Sequence, residues 1–183
     1  MNDINNLFKD VKDKFWRDRI KKGKIKQTII YIGADHAGFE LKEKLKKFLA
    51  KEGYQFEFED FGPYEYDPND DYPDFTVKVC KKVLETNGKG ILICGTGQGM
   101  DRAANKMPGI YAEVCWDENT AKHAREHSNV NVLCFGGRTV KPELAKKMVK
   151  IWLETPFMPR KRHLRRINKI KAIEKKYSKN AKN

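Results

Sequence analysis

Gly90-Ile91-Leu92-Ile93-Cys94-Gly95-Thr96-Gly97-Gln98-Gly99-Met100 passes from four consecutive apolar residues straight into a turn with three glycines in five positions. An apolar run this short, cut off by glycine, reads as a fully buried strand ending at an open sheet edge. The thiol of Cys94 falls at that end, and the following turn supplies unencumbered backbone N–H groups. Ile29-Ile30-Tyr31-Ile32-Gly33-Ala34-Asp35-His36-Ala37-Gly38 repeats the arrangement with a carboxylate and an imidazole. Two such strand ends brought side by side would supply a site for proton transfer.

The same alternation runs outward from these two stretches. Thr28–Gly33 reads as a strand, and Phe39, Leu41, Leu45, Phe48 and Leu49 line one face of a helix ending at Gly53. Gln55–Glu59 is a second strand, followed by the turn-rich stretch Gly62–Asp74 and a helix marked by Val77, Cys80, Val83 and Leu84. A helix beginning near Met100 follows the third strand, Gly90–Cys94. Strand Ile110–Cys115, helix Asn119–His127, strand Val130–Phe135 and helix Pro142–Glu154 complete the series. Near-continuous apolar strands separated by helices specify an α/β fold, a doubly wound parallel five-stranded sheet resembling the Rossmann type.

Three parts are expected: an N-terminal helical extension, residues 1–26; an α/β domain, 27–158; and a basic C-terminal helix and tail, 159–183. In the first, Ile4, Leu7, Phe8, Val11, Phe15, Trp16 and Ile20 recur at helical spacing. In the last, Leu164, Ile167, Ile170 and Ile173 form an apolar stripe that calls for cover from the domain or a second subunit. The formal net charge of +13 belongs to these ends. Residues 1–28 carry 9 Lys and Arg against 4 Asp and Glu, residues 159–183 carry 11 against 1, and the body carries 18 against 20. A near-neutral body with no reader element argues against a nucleic-acid-binding protein. Neither end has an apolar run that could span a membrane. Cys80, Cys94, Cys115 and Cys134 lack paired-ligand spacing, so the chain is expected to contain neither disulfide nor zinc and to work in a reducing cytoplasm.

Open parallel sheets bind ligands beyond the carboxyl ends of their strands, where strand order reverses. If the first and third strands are neighbours, Asp35, His36 and Cys94 share that crevice. The turn Gly95–Gly99 fits neither a P-loop nor a dinucleotide fingerprint. It remains a row of N–H groups leading into a helix, suited to a developing oxyanion. Cys94 reads either as a buried small hydrophobe or as a group that gains thiolate character there. Asp35-His36 reads as a capping pair or as substrate contacts, and His127 as a helix C-cap or as a proton relay. Arg162 and Arg166, four apart, project from one helical face, and Arg138 follows Gly136-Gly137. Together they read as a dianion pocket or as a solvated basic strip.

Taken together, Gly33-Ala34-Asp35-His36-Ala37-Gly38, Asp71-Tyr72-Pro73-Asp74, Ile91–Gly97, Ala103-Ala104-Asn105-Lys106, Ala124-Arg125-Glu126-His127, Asn131-Val132-Leu133 and Gly136-Gly137-Arg138 resemble the ribose-5-phosphate isomerase B family. That family also includes isomerases of galactose 6-phosphate and allose 6-phosphate, and the resemblance spans residues 28–175. It implies a homodimer with active sites at the subunit interface, in some members paired into tetramers, acting on a phosphorylated sugar. It further implies aldose–ketose isomerisation of ribose 5-phosphate to ribulose 5-phosphate through an enediolate, with a hexose 6-phosphate as the alternative substrate and a non-catalytic sugar-phosphate sensor as the alternative role. The catalytic roles would fall on Cys94 as general base, Thr96 beside it, His127 in ring opening, and Asp35. Substrate would meet His36, Gly95, Gly97, Gly99, Asn105, Arg138, Arg162 and Arg166, without cofactor or metal. Two departures are visible: Met100-Asp101-Arg102 stands where the family commonly has Met-Ser-Ile, and residues 1–26 lie outside the usual pattern.

Overall fold

The computed structural model describes residues 28–51 and 56–180. The expected N-terminal helix of residues 1–26, the helix end at Gly53 and the strand start at Gln55 lie outside those residues. The described elements are β1 (Thr28–Ala34), α1 (Phe39–Lys51), β2 (Phe56–Asp60), α2 (Tyr72–Thr86), β3 (Lys89–Cys94) and α3 (Gln98–Ala104). They continue through β4 (Ala112–Val114), α4 (Glu118–Glu126), β5 (Val132–Gly136), α5 (Pro142–Glu154) and α6 (Lys161–Asn180).

The five strands form one sheet in the order β2-β1-β3-β5-β4, and every neighbouring pair is parallel. β1 and β3 are therefore neighbours with β2 outside β1, the arrangement on which the shared crevice depends. Ala34 pairs with Ile93, and Cys94 with Gly136, so the carboxyl ends of β1, β3 and β5 finish level.

Period-two alternation in the buried strands sends side chains to two cores. Ile30, Ile32, Ile91, Ile93, Leu133 and Phe135 pack with Leu45, Leu49, Met148, Val149 and Trp152 of α1 and α5 on one face. Tyr31, Leu92, Cys94, Val132 and Cys134 pack with Val79, Val83, Met100 and Ala104 of α2 and α3 on the other. Helices thus cover both faces, which explains strands that read as continuous apolar runs.

Three details differ from the sequence reading. The fourth strand covers only Ala112–Val114, because the Ile110 N–H turns back to the Met107 carbonyl. α3 begins at Gln98 rather than near Met100, since Gly97 already takes the left-handed N-cap conformation with φ 83°. The fifth strand covers Val132–Gly136 rather than Val130–Phe135, with Cys134 at its centre and completely buried.

The loop after β2 is anchored by a buried cation. Lys42 of α1 is 0% exposed, and its Nζ donates to Asp60 Oδ1 at 2.9 Å, to Oδ2 at 2.7 Å and to the Pro63 carbonyl at 2.8 Å. Lys46 Nζ adds a contact to Asp60 Oδ2 at 2.6 Å. Burial alone would raise the Asp60 carboxyl, but the two ammonium groups and the Gly62 N–H outweigh it and hold the carboxyl below its ordinary range. A depressed folded-state pKa stabilises above the unfolded carboxylate value and is lost as pH falls through it. Asp60→Asn is expected to cost about 3 kcal/mol at pH 7, because it leaves a buried ammonium short of its counter-charge. Chemical denaturation of the parent should show stability falling below about pH 4, and more steeply than in the variant.

Candidate active site

Chemistry-bearing residues collect at the carboxyl ends of β1, β3 and β5. Two glycines let these ends close on one another. A Cβ on Gly137 would overlap the Ala37 carbonyl oxygen, so only glycine lets the loop after β5 touch the loop after β1. Gly97, with its positive φ, lies against the Phe135 carbonyl and turns the chain from β3 into α3. The Gly137 N–H donates to the Cys94 carbonyl at 2.7 Å, and the Arg138 N–H to the Gly95 carbonyl at 3.1 Å. Asp35 N–H donates to the Ile93 carbonyl at 3.1 Å, completing the three-loop contact.

Cys94 ends β3 at 4% exposure, on the sheet face covered by α2 and α3. Burial pushes the thiols of Cys80 and Cys115 up to about 12, and that of Cys134 well above its ordinary value. Those three are poor proton acceptors near neutrality, and they lie away from the Gly95–Gly99 turn that Cys94 adjoins. In that turn Thr96 is exposed and Gly97 buried. The first intrahelical bond of α3 runs from the Asp101 N–H to the Gly97 carbonyl at 3.0 Å, leaving the N–H groups of Gly97 to Met100 ahead of the ladder. Donors of this kind, ahead of a helix ladder, are what an oxyanion would need.

Asp35 is 5% exposed and accepts the Gly38 N–H at 3.0 Å. Desolvation raises its carboxyl above the ordinary range, partly opposed by that bond. His36 is held by a residue that the sequence reading missed. Asp70 Oδ1 accepts the His36 N–H at 2.9 Å and lies 2.8 Å from its Nδ1, which leaves Nε2 free to face ligand. Asp70 comes from the irregular loop before α2, where no periodicity marks it. Tyr66 packs edge-on against the same imidazole. His36, Ala37, Tyr66, Gly137 and Arg138 line a cleft of about 480 Å³.

The remaining expected residues lie elsewhere on the chain. His127 caps α4 and, with Asn105, Glu113 and Arg166, lines a second cleft of about 380 Å³. His123 stacks on His127 at 4.7 Å between ring centroids, and His163 tilts against it at 4.5 Å. Desolvation and the neighbouring imidazoles hold His127 below the ordinary imidazole range, which favours its neutral form. Arg162 Nε donates to His163 Nε2 at 3.0 Å, which ties Arg162 to α6 beside this cleft. Asn105 uses its amide on protein: Nδ2 donates to the Asp101 and Ala112 carbonyls, and Oδ1 accepts the Ala112 N–H. Arg138 therefore lines one cleft and Arg166 another, so within one chain the three arginines do not converge.

A wider groove of about 550 Å³, lined by Lys44, Lys47, Lys51, Lys146 and Lys147, lies between α1 and α5. Its walls are helix flanks rather than strand ends, and none of the residues above reaches it. No described helix is long and apolar enough to cross a membrane.

A family model described as Ribose/Galactose Isomerase matches residues 30–170. The chain belongs to this family. A probable ribose-5-phosphate isomerase B of Mycoplasma genitalium is 45% identical over 148 residues, covering 80% of this chain and 95% of the relative. Among solved structures, Clostridium thermocellum ribose-5-phosphate isomerase B aligns with a TM-score of 0.78 at 44% identity, covering 82% of this chain and 99% of that one. Ribose-5-phosphate isomerase B from Mycoplasma genitalium with bound ribulose-5-phosphate aligns with a TM-score of 0.77 at 43% identity, covering 81% and 97%. Within the ribose/galactose isomerase pattern, the departure at Asp101 is a partly buried carboxyl. Burial raises it above the ordinary range, opposed by a bond from Asn105 Nδ2 at 3.3 Å.

Gly137→Ala is expected to force the β1 and β5 loops apart and to cost about 3 kcal/mol, read as a fall of about 10 °C in the melting midpoint. Replacing a solvent-facing residue of α5 such as Lys147 by Ala should leave the midpoint within about 2 °C.

Proposed function

We propose that the protein is an aldose–ketose isomerase that interconverts ribose 5-phosphate and ribulose 5-phosphate. The observation that carries this reading is the convergence of Cys94, the Gly95–Gly99 amides and the Asp35-His36 loop at one sheet edge. It is supported by similarity to an isomerase whose solved structure has ribulose-5-phosphate bound. An imidazole whose neutral form is favoured, His127, assists opening of the sugar ring and exposes the C1 aldehyde. The Cys94 thiolate then takes the proton from C2. The released electron pair forms a C1–C2 double bond and moves the carbonyl pair onto O1. Backbone N–H groups of the Gly95–Gly99 turn stabilise that oxyanion, and Thr96 and Asp35 border the same edge. Return of the proton from sulfur to C1, with the O2 proton passing to O1 through the medium or a neighbouring base, gives the ketose.

The active assembly in this proposal is a homodimer, and each site is completed across the interface. His36 and Arg138 belong to one cleft, while His127 and Arg166 belong to another. α6 leaves Leu164 40%, Ile170 51% and Ile173 58% exposed, an apolar stripe that a second copy would cover. The phosphate would meet Arg138 with His36 of one copy and Arg162 with Arg166 of the other. Residues 27–158 hold the reacting groups, and 159–183 supply the reach to the partner. Four free cysteines, one of them the general base, suit the reducing cytoplasm.

Cys94→Ala should lower kcat by about 10³-fold or more with KM little changed, whereas Arg166→Ala should raise KM by about tenfold or more. Equal turnover by parent and Cys94→Ala would overturn the proton-transfer role, and faster turnover of allose or galactose 6-phosphate than of ribose 5-phosphate would overturn the substrate. Co-refolding these two variants, assayed at substrate well below the parent KM so that each alone is nearly silent, tests the shared site directly. Random pairing makes half the dimers mixed, each with one intact site, so about a quarter of parent activity should return. No recovery would place both groups in the same subunit's site.

A further inference from the structure

The helix that carries His127 also carries an arrangement that isomerisation does not use. His123, Glu126 and His127 occupy positions i, i+3 and i+4 of α4 and its C-cap, so they share one helix side. One ligand atom from each lies within 4.8 Å of the other two. We propose that these three residues bind a divalent transition-metal ion of the zinc class, and that its occupancy inhibits the enzyme by withdrawing His127 from the substrate.

Two imidazoles and a carboxylate are the donor set of open, three-ligand zinc sites, with Zn–N bonds of about 2.0 Å and ligand atoms about 3.3 Å apart. Reaching that spacing takes rotation of side chains only, because His123 is exposed and the other two are half-buried. The competing contact is slight. Among the described residues, Glu126 Oε1 meets Lys122 at 3.5 Å, a long i, i+4 contact of the weak kind made at a helix surface. The last carbonyls of α4 favour a cation at this end of the helix. Glu113, which lines the same cleft as His127, adds negative charge, while Arg166 opposes it.

His163 is excluded as a fourth ligand although its ring touches His127. It is 2% exposed, its Nδ1 bonds the Met158 carbonyl at 3.0 Å, and its Nε2 accepts from Arg162. The fourth position therefore opens onto the cleft and takes water or an anion. Inhibition would follow from geometry, since an imidazole nitrogen bound to the ion cannot also carry a proton for ring opening. This consequence rests on the isomerase reading; the binding itself does not.

The test is Zn²⁺ titration of the full chain against a chromophoric chelator, run beside turnover of ribose 5-phosphate with and without the metal. One Zn²⁺ per chain is expected for the parent, with His123→Leu and Glu126→Gln each weakening binding by about tenfold or more. Both variants should keep metal-free turnover within about twofold, and the Zn²⁺ concentration giving half inhibition should shift upward by the same factor as the affinity. Because Cys94 is a competing ligand, the titration is repeated on Cys94→Ala. Unchanged binding there supports the histidine site, and loss of binding overturns it. Parent protein that leaves Zn²⁺ with the chelator, or two variants that both bind like the parent, would also overturn the proposal. Inhibition without the matching loss of affinity in the variants would overturn the inhibitory role alone. A chain that binds Zn²⁺ as described but never turns over ribose 5-phosphate would instead defeat the isomerase reading and leave the metal site standing.

Discussion

The fold's chemistry depends on a contact that a single methyl group would prevent. Gly137 lies against the Ala37 carbonyl, and its N–H is bonded to the Cys94 carbonyl, so the loops after β1, β3 and β5 touch where their strands end. The sheet order puts these strand ends level, and the glycine lets the Asp35-His36 loop, the end of β3 at Cys94 and the loop after β5 meet at one sheet edge. Backbone-to-backbone packing of this kind resists small shifts, because no side chain stands between the loops to give way. A site required to hold a developing charge benefits from that stiffness, since donors already in position need not reorganise during the reaction.

Within one chain the candidate groups divide between two clefts. Arg166 and His127 belong to α6 and the end of α4, and they line a different cleft from Arg138 and His36. A compact sheet cannot bend its own C-terminal helix back over every strand end, so the apolar stripe of α6 and its arginines face outward together. In the proposed dimer a second copy would cover the apolar stripe of α6 and meet the arginines beside it.

Most of the architecture was legible because strand and helix periods differ so sharply. Ile91–Cys94 and Ile30–Ile32 are buried on both faces and read as strands without ambiguity. The boundaries that slipped did so for local reasons. Ile110 is buried through a turn rather than through strand pairing, and Gly97 starts its helix two residues early because a positive φ already directs the chain into it. Cys94, Asp35 and His36 could be proposed together once a neighbouring β1 and β3 were assumed. Asp70 could not, since a carboxylate in an irregular loop has no pattern to distinguish it from the acidic residues on either side. His123 and His163 were likewise visible as residues but not as a stack on His127. His123 stacks from one turn earlier on α4, whereas His163 meets the ring because the end of α4 lies against the start of α6.

Family membership, the parallel sheet and the short list of reacting residues were written in local sequence, because glycine spacing, apolar runs and motif identity are properties of neighbours along the chain. Tertiary structure alone decided which of those residues share a cleft, which imidazole Asp70 orients, and that the arginines divide between two clefts. Those facts depend on where separate elements come to rest against one another, and contacts between residues dozens of positions apart leave no periodic trace in the sequence.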